Sequence, residues 1–106
     1  RDDILLICSA SGETPMLVEH AAKAKKVGAA IMLITTSEAS SLAVLSDSMI
    51  TIDASSKTTR SDASVQPMGS LFEQSTAILL DIIVLCLMEK HGISSDDMYR
   101  NHSNLE

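Results

Sequence analysis

Three hydroxyl side chains and two small residues fall within six positions in Ser9-Ala10-Ser11-Gly12-Glu13-Thr14. The apolar run Ile4-Leu5-Leu6-Ile7-Cys8 ends just before this segment and Pro15 follows it. A junction from buried strand to helix is where parallel α/β sheets hold ligands. The hydroxyls of Ser9, Ser11 and Thr14, with amides left open by Ala10 and Gly12, can surround a phosphate at the helix N-terminus. The segment has neither the Gly-x-x-x-x-Gly-Lys-[Ser/Thr] pattern nor Gly-x-Gly-x-x-Gly, so ATP and NAD are not indicated and no cofactor is expected. The same residues also make an ordinary turn with Thr14 as helix cap. On the residues alone, both readings stand.

A second segment, Ser70-Leu71-Phe72-Glu73, has the Ser-x-x-Glu spacing of a capping box ahead of an apolar run. His20 and His91 have no partners at metal-ligand spacing, so they read as surface residues and no metal site is expected. Lys23, Lys25 and Lys26 read as a solvated helix face. Cys8 and Cys86 each lie inside an apolar run, where cysteine acts as a small buried hydrophobe.

These residues must be positioned by a small set of elements. Residues 4–8 and 30–35 are continuous apolar runs, the signature of strands covered on both faces of a parallel sheet. Between them Pro15 suits a first helical turn, Leu17, Ala21, Ala24 and Val27 recur at helical spacing, and Gly28 suits a C-cap. The strand, helix, strand order predicts a right-handed βαβ unit. A short helix over 41–45, a third strand over 48–53, a long helix over 70–91 ending at Gly92, and a last short helix over 94–100 complete the prediction. Residues 54–66, rich in Ser and Thr, read as a flexible loop.

The chain has 106 residues, enough for one domain with a modest core. It is 45% hydrophobic but 2% aromatic, so aliphatic side chains and six Met must fill that core, which favours α/β packing. With 14 acidic against 8 basic residues the net charge is −6, which argues against nucleic acid or an anionic membrane surface as partner. No signal-peptide pattern opens the chain, which points to the cytoplasm. The run Ala77 to Met88, broken by Asp81, falls short of the roughly 20 residues of a membrane span. Its apolar residues occupy more than one helical face, so a homo-oligomer is expected to cover them.

The Ser-x-Ser-Gly-Glu-Thr turn resembles the phosphate motif of the sugar isomerase (SIS) domain family. Val65-Gln66-Pro67-Met68-Gly69-Ser70-Leu71-Phe72-Glu73-Gln74 and the chain end His102-Ser103-Asn104-Leu105-Glu106 are similar to segments of the 6-phospho-3-hexuloisomerases within it. There they read Ile-Gln-Pro-Met-Gly-Ser-Leu-Phe-Glu-Gln and His-Ala-Asn-Leu-Glu, so Val65 and Ser103 depart from the pattern, as does Ala10 from a frequent Gly. The resemblance spans the whole chain. It implies a three-layer, flavodoxin-like α/β fold, with a parallel sheet carrying helices on both faces, of which residues 1–106 are the C-terminal portion of a single domain. Family members begin with helices and an earlier strand ending in a Gly-Arg-Ser turn, which this sequence lacks.

The implied activity is interconversion of 3-hexulose 6-phosphate and fructose 6-phosphate through a cis-enediol. Ser9, Ala10, Ser11, Gly12 and Thr14 would bind substrate, with Glu73 as base and His102 exchanging protons between the two oxygens. The implied assembly is a dimer or tetramer, in which the tail carrying His102 would serve a neighbouring subunit. The rival expectation is a non-catalytic SIS module that binds a phosphosugar as a regulatory ligand.

Overall fold

The two apolar runs that end at Cys8 and Thr35 become the first two strands of a parallel sheet. A computed structural model describes residues 3–54 and 65–102. It divides into two compact units, Arg1–Thr76 and Ala77–Glu106. Most of the segment read as a flexible loop, and the last four residues, lie outside the described residues.

In the first unit β1 (Ile4–Cys8), β2 (Ala30–Thr35) and β3 (Ser48–Thr51) pair in sequence order. Ile4 faces Ala30 and Met32 faces Ser48 across the two parallel ladders. Helix α1 (Pro15–Val27) joins β1 to β2, and α2 (Ser41–Leu45) joins β2 to β3. Two right-handed crossovers running the same way along a sheet put both helices on one face. The core lies there, with Ile7, Ala21, Ile31, Leu33 and Leu42 buried together. Each large aliphatic side chain so buried contributes about 1.5–3 kcal/mol. Strand β3 stops two residues short of the prediction. Ile52 N still donates to Thr35 O at 2.8 Å, but β2 ends there and offers no further partner.

The expectation that β1 is covered on both faces is corrected. Ile7 is buried, whereas Ile4, Leu6 and Cys8 are exposed. Alternation turns these three away from α1 and α2. The free thiol of Cys8 is therefore exposed rather than part of the core. That of Cys86, on α3 (Ser70–His91), is exposed as well, because the buried residues of α3 are Phe72 and Thr76.

Helix α1 ends at Gly28, whose φ of 83° is open to a residue without a Cβ. One of the lysines assigned to a solvated face has a fixed partner, since Lys25 Nζ donates to Asp47 Oδ1 at 2.6 Å. Asp47 Oδ2 also accepts from Ile31 N at 2.8 Å, while Asp47 N donates to Ile31 O at 2.8 Å. The loop before β3 is thus fastened to β2 and α1 at one carboxylate. The Lys25 ammonium and the Ile31 amide hold Asp47 below its usual value of 3.8. A depressed carboxyl stabilises the fold above its unfolded pKa, and that contribution is lost as pH falls through the lower folded value. Asp47→Asn is expected to lower the melting temperature at neutral pH, with the gap to wild type closing as pH drops below 3.8. Melting curves across pH would check this; a gap that persists in strong acid would contradict it.

In the second unit the rest of α3 ends before Gly92, and α4 (Ser95–Arg100) carries a reciprocal cap. Asp97 N donates to Ser94 Oγ, and Ser94 N donates to Asp97 Oδ2. Ile78, Ile82 and Leu85 of α3 are each half exposed or more. By length and composition alone α3 meets the requirement for a membrane span. The shorter reading confined to Ala77 to Met88 missed this, because the helix extends beyond that run at both ends.

Candidate functional site

A cavity of about 500 Å³ in the first unit is lined at one side by Ser9, Ala10, Ser11 and Thr14, and at another by Gly69, Phe72, Glu73 and Thr76. The second group falls at i, i+3, i+4 and i+7, which is one helical stripe. Register on α3 therefore turns Glu73 toward the hydroxyl turn. Cys8 and Leu17 complete the lining.

The turn from β1 to α1 is held at several points. Ser9 is 6% exposed, and its Oγ accepts from Gly12 N at 3.2 Å. Ser11 Oγ accepts from Glu13 N at 3.3 Å. A serine hydroxyl that accepts from an amide still has its own proton to donate, which suits an anion. The expected cap at Thr14 is corrected: Thr14 occupies the N-cap position of α1 but its side chain makes no capping bond. Leu17 N and Val18 N donate to Thr14 O instead. The Thr14 hydroxyl is left to the cavity, at a helix start that has no acidic residue in its first turn.

Gly12 lies outside the lining. Its φ is +68°, and a Cβ there would meet Ser40 Oγ at 2.1 Å. Gly12 serves the turn by allowing it to lie against α2.

The capping box read into Ser70 and Glu73 is also corrected. Ser70 Oγ donates to Pro67 O at 2.8 Å, and Glu73 N donates to Gly69 O at 2.9 Å. Helix α3 begins at Ser70 itself, so Gly69 rather than Ser70 stands at its N-cap, after a Met68 whose φ is 56°. Among the described residues the Glu73 carboxylate makes no hydrogen bond and is exposed at the cavity. Partial burial pushes the Cys8 thiol up, away from the thiolate form.

Sequence reasoning passed over Thr76. Its Oγ1 is buried with no hydrogen-bond partner, beside the cavity and one turn beyond Glu73. An unpaired buried hydroxyl costs about 1–3 kcal/mol, which a ligand hydroxyl would offset. Its i+3 spacing from Glu73 was the only signal available. His102 belongs to the second unit, just past the α4 C-cap Asn101, where its N donates to Tyr99 O at 3.1 Å.

Residues 1–84 match the SIS domain family. The chain belongs to that family. Among curated SIS relatives, the chain is 41% identical to the 3-hexulose-6-phosphate isomerase of Bacillus subtilis (strain 168), over 98% of this chain and 57% of the relative. It is 38% identical to that of Mycobacterium gastri, over 98% of this chain and 53% of the relative. The chain therefore spans a little over half the length of the curated relatives it matches. A Methanococcus jannaschii crystal structure, from which a 3-hexulose-6-phosphate isomerase function was inferred, superposes with a TM-score of 0.81 at 25% identity, covering 98% of this chain and 55% of that one. The c3406 protein of E. coli CFT073, solved in complex with a phosphosugar, gives a TM-score of 0.75 at 26% identity, covering 97% of this chain and 53% of that one.

The SIS match takes in all three strands and α3 as far as Val84. Most of the apolar helix thus falls within the matched domain.

Proposed function

We propose that these residues carry the phosphate anchor and the base of a sugar-phosphate isomerase that interconverts 3-hexulose 6-phosphate and fructose 6-phosphate. The observation that carries this reading is the Glu73 carboxylate, without a described partner, facing the same cavity as Ser9, Ser11 and Thr14. The names of the curated relatives support this choice of substrate.

The phosphate sits against the turn from Ser9 to Thr14, with hydroxyls and the start of α1 offsetting its charge. Glu73 removes the C2 proton of 3-hexulose 6-phosphate and returns one at C3, by way of a cis-enediol, which leaves the carbonyl at C2 as in fructose 6-phosphate. His102 moves the proton between the two oxygens, since imidazole exchanges protons near neutral pH. Thr76 receives a sugar hydroxyl. Gly12 contributes through the path of the turn. All 106 residues act as part of one SIS domain. The protein works in the cytoplasm as a dimer or tetramer, with the exposed apolar residues of α3 at the subunit contact.

Fructose 6-phosphate formed from 3-hexulose 6-phosphate by the complete polypeptide carrying these residues is the direct measurement. Turnover on the order of 1 s⁻¹ or faster is expected. Saturable binding of the phosphosugar with no turnover would replace this reading with the regulatory module.

A further inference from the structure

The hydroxyl turn is fixed from behind by bonds that the substrate never touches. Ala10 O accepts from Thr35 Oγ1 at 3.1 Å, Thr36 Oγ1 at 2.8 Å and Thr36 N at 3.0 Å. In a trans peptide the C=O and the following N–H point opposite ways. Pinning Ala10 O toward the end of β2 therefore drives Ser11 N–H the other way, and among the described residues that amide has no partner. Two peptide bonds further on, Leu42 N donates to Gly12 O at 3.1 Å.

Glu13 fastens the other end of the turn. Its Oε1 accepts from Ser41 N at 2.8 Å and its Oε2 from Ser41 Oγ at 2.7 Å. Both bonds cross 28 positions of sequence, from the turn to the first residue of α2. The Ser41 hydroxyl and amide hold the Glu13 carboxyl below its usual range, so it is ionised at neutral pH. An anion beside a phosphate site would ordinarily repel the ligand. Here both carboxylate oxygens are occupied at α2, and Glu13 is absent from the cavity lining.

We propose that Glu13 is a positioning residue for the phosphate. Its two-point hold on Ser41 sets the turn so that Ser11 N–H and the hydroxyls of Ser9 and Ser11 converge on one anion. The proposal rests on the turn being the phosphate anchor, and it adds that the anchor is built by a contact to α2. Losing the clamp lets the turn spread and moves those donors off a common point, which weakens their hold on the anion.

The test uses the complete polypeptide, with inorganic phosphate and fructose 6-phosphate as probes in calorimetry, alongside steady-state kinetics. Glu13→Ala is expected to weaken phosphate binding and raise KM on the order of tenfold, with kcat changed by less than about threefold. Glu13→Gln should restore most of the affinity, because its carbonyl still accepts from Ser41 N and its amide can donate to Ser41 Oγ. Should Glu13→Ala fail to fold, Glu13→Asp keeps the charge but is one methylene too short, and should weaken binding in the same direction. Ser41→Ala should weaken binding in the wild-type background and change nothing in the Glu13→Ala background, since the two share a bond. Unaltered phosphate affinity in folded Glu13→Ala or Glu13→Asp would overturn the clamp. So would a fall in kcat alone. Wild-type protein that binds neither probe would overturn the phosphate anchor itself, a different failure from a clamp that proves dispensable.

Discussion

With Glu73 replaced by Gln, turnover of 3-hexulose 6-phosphate is expected to fall about 10³-fold, while affinity for fructose 6-phosphate stays within about threefold. Glu73→Gln changes charge and basicity and leaves shape almost untouched. The fold has no use for the charge: the Glu73 carboxylate makes no bond among the described residues, and Glu73 N bonds to Gly69 O whatever the side chain is. Loss of rate therefore cannot be passed off as loss of structure, and melting curves of the two proteins should coincide. The phosphate anchor belongs to different residues, so binding should survive. Undiminished turnover would remove Glu73 from the chemistry and leave the cavity with no base on α3, because Thr76 is the other polar side chain of that stripe.

What made Glu73 ambiguous in the sequence was local. Ser-x-x-Glu before an apolar run is what a capping box looks like, and only the backbone decides otherwise: Met68 has a positive φ, the helix starts at Ser70 itself, and Ser70 Oγ donates to Pro67 O. A positive φ at a residue other than Gly leaves no mark in the sequence. The strands were legible for the opposite reason: residues 4–8 and 30–35 are apolar without interruption, and the turn after the first is bracketed by Pro15. The error there was in coverage. A continuous apolar run says that a strand is to be covered, and Ile4 and Leu6 are exposed because their side of β1 turns from α1 and α2. Contacts between distant positions were not legible at all. Glu13 read as one more residue of a motif, and Asp47 drew no reading at all, because their partners Ser41 and Ile31 come near only once the crossovers form. The loosened cap at Thr14 belongs with these, since nothing local distinguishes a Thr that caps from one that waits for a ligand.

Gly12→Ala is expected to damage the site more broadly than any change to a hydroxyl. A Cβ at Gly12 would lie 2.1 Å from Ser40 Oγ and 2.5 Å from Ser40 Cβ, distances at which something must move. The obstacle is firm: Ser40 is 3% exposed, donates to Ser37 O and accepts from Ala43 N as the cap of α2. Holding Ala at φ +68° adds about 1–2 kcal/mol of strain. With the displaced cap, a total loss of about 3–5 kcal/mol of stability is expected, measured by urea denaturation. In the fraction that folds, phosphate affinity should drop with it, because the turn and α2 are joined at Gly12 O and Glu13 as well. A second substitution separates collision from strain. Ser40→Gly removes both atoms that the new Cβ would strike, so Gly12→Ala with Ser40→Gly should be more stable than the sum of the two single losses allows. The backbone strain would remain, and with it part of the deficit. Strict additivity would mean that the close approach of Gly12 to Ser40 does not shape this turn, and the tie between the phosphate anchor and α2 would then rest on Glu13 and Leu42 alone.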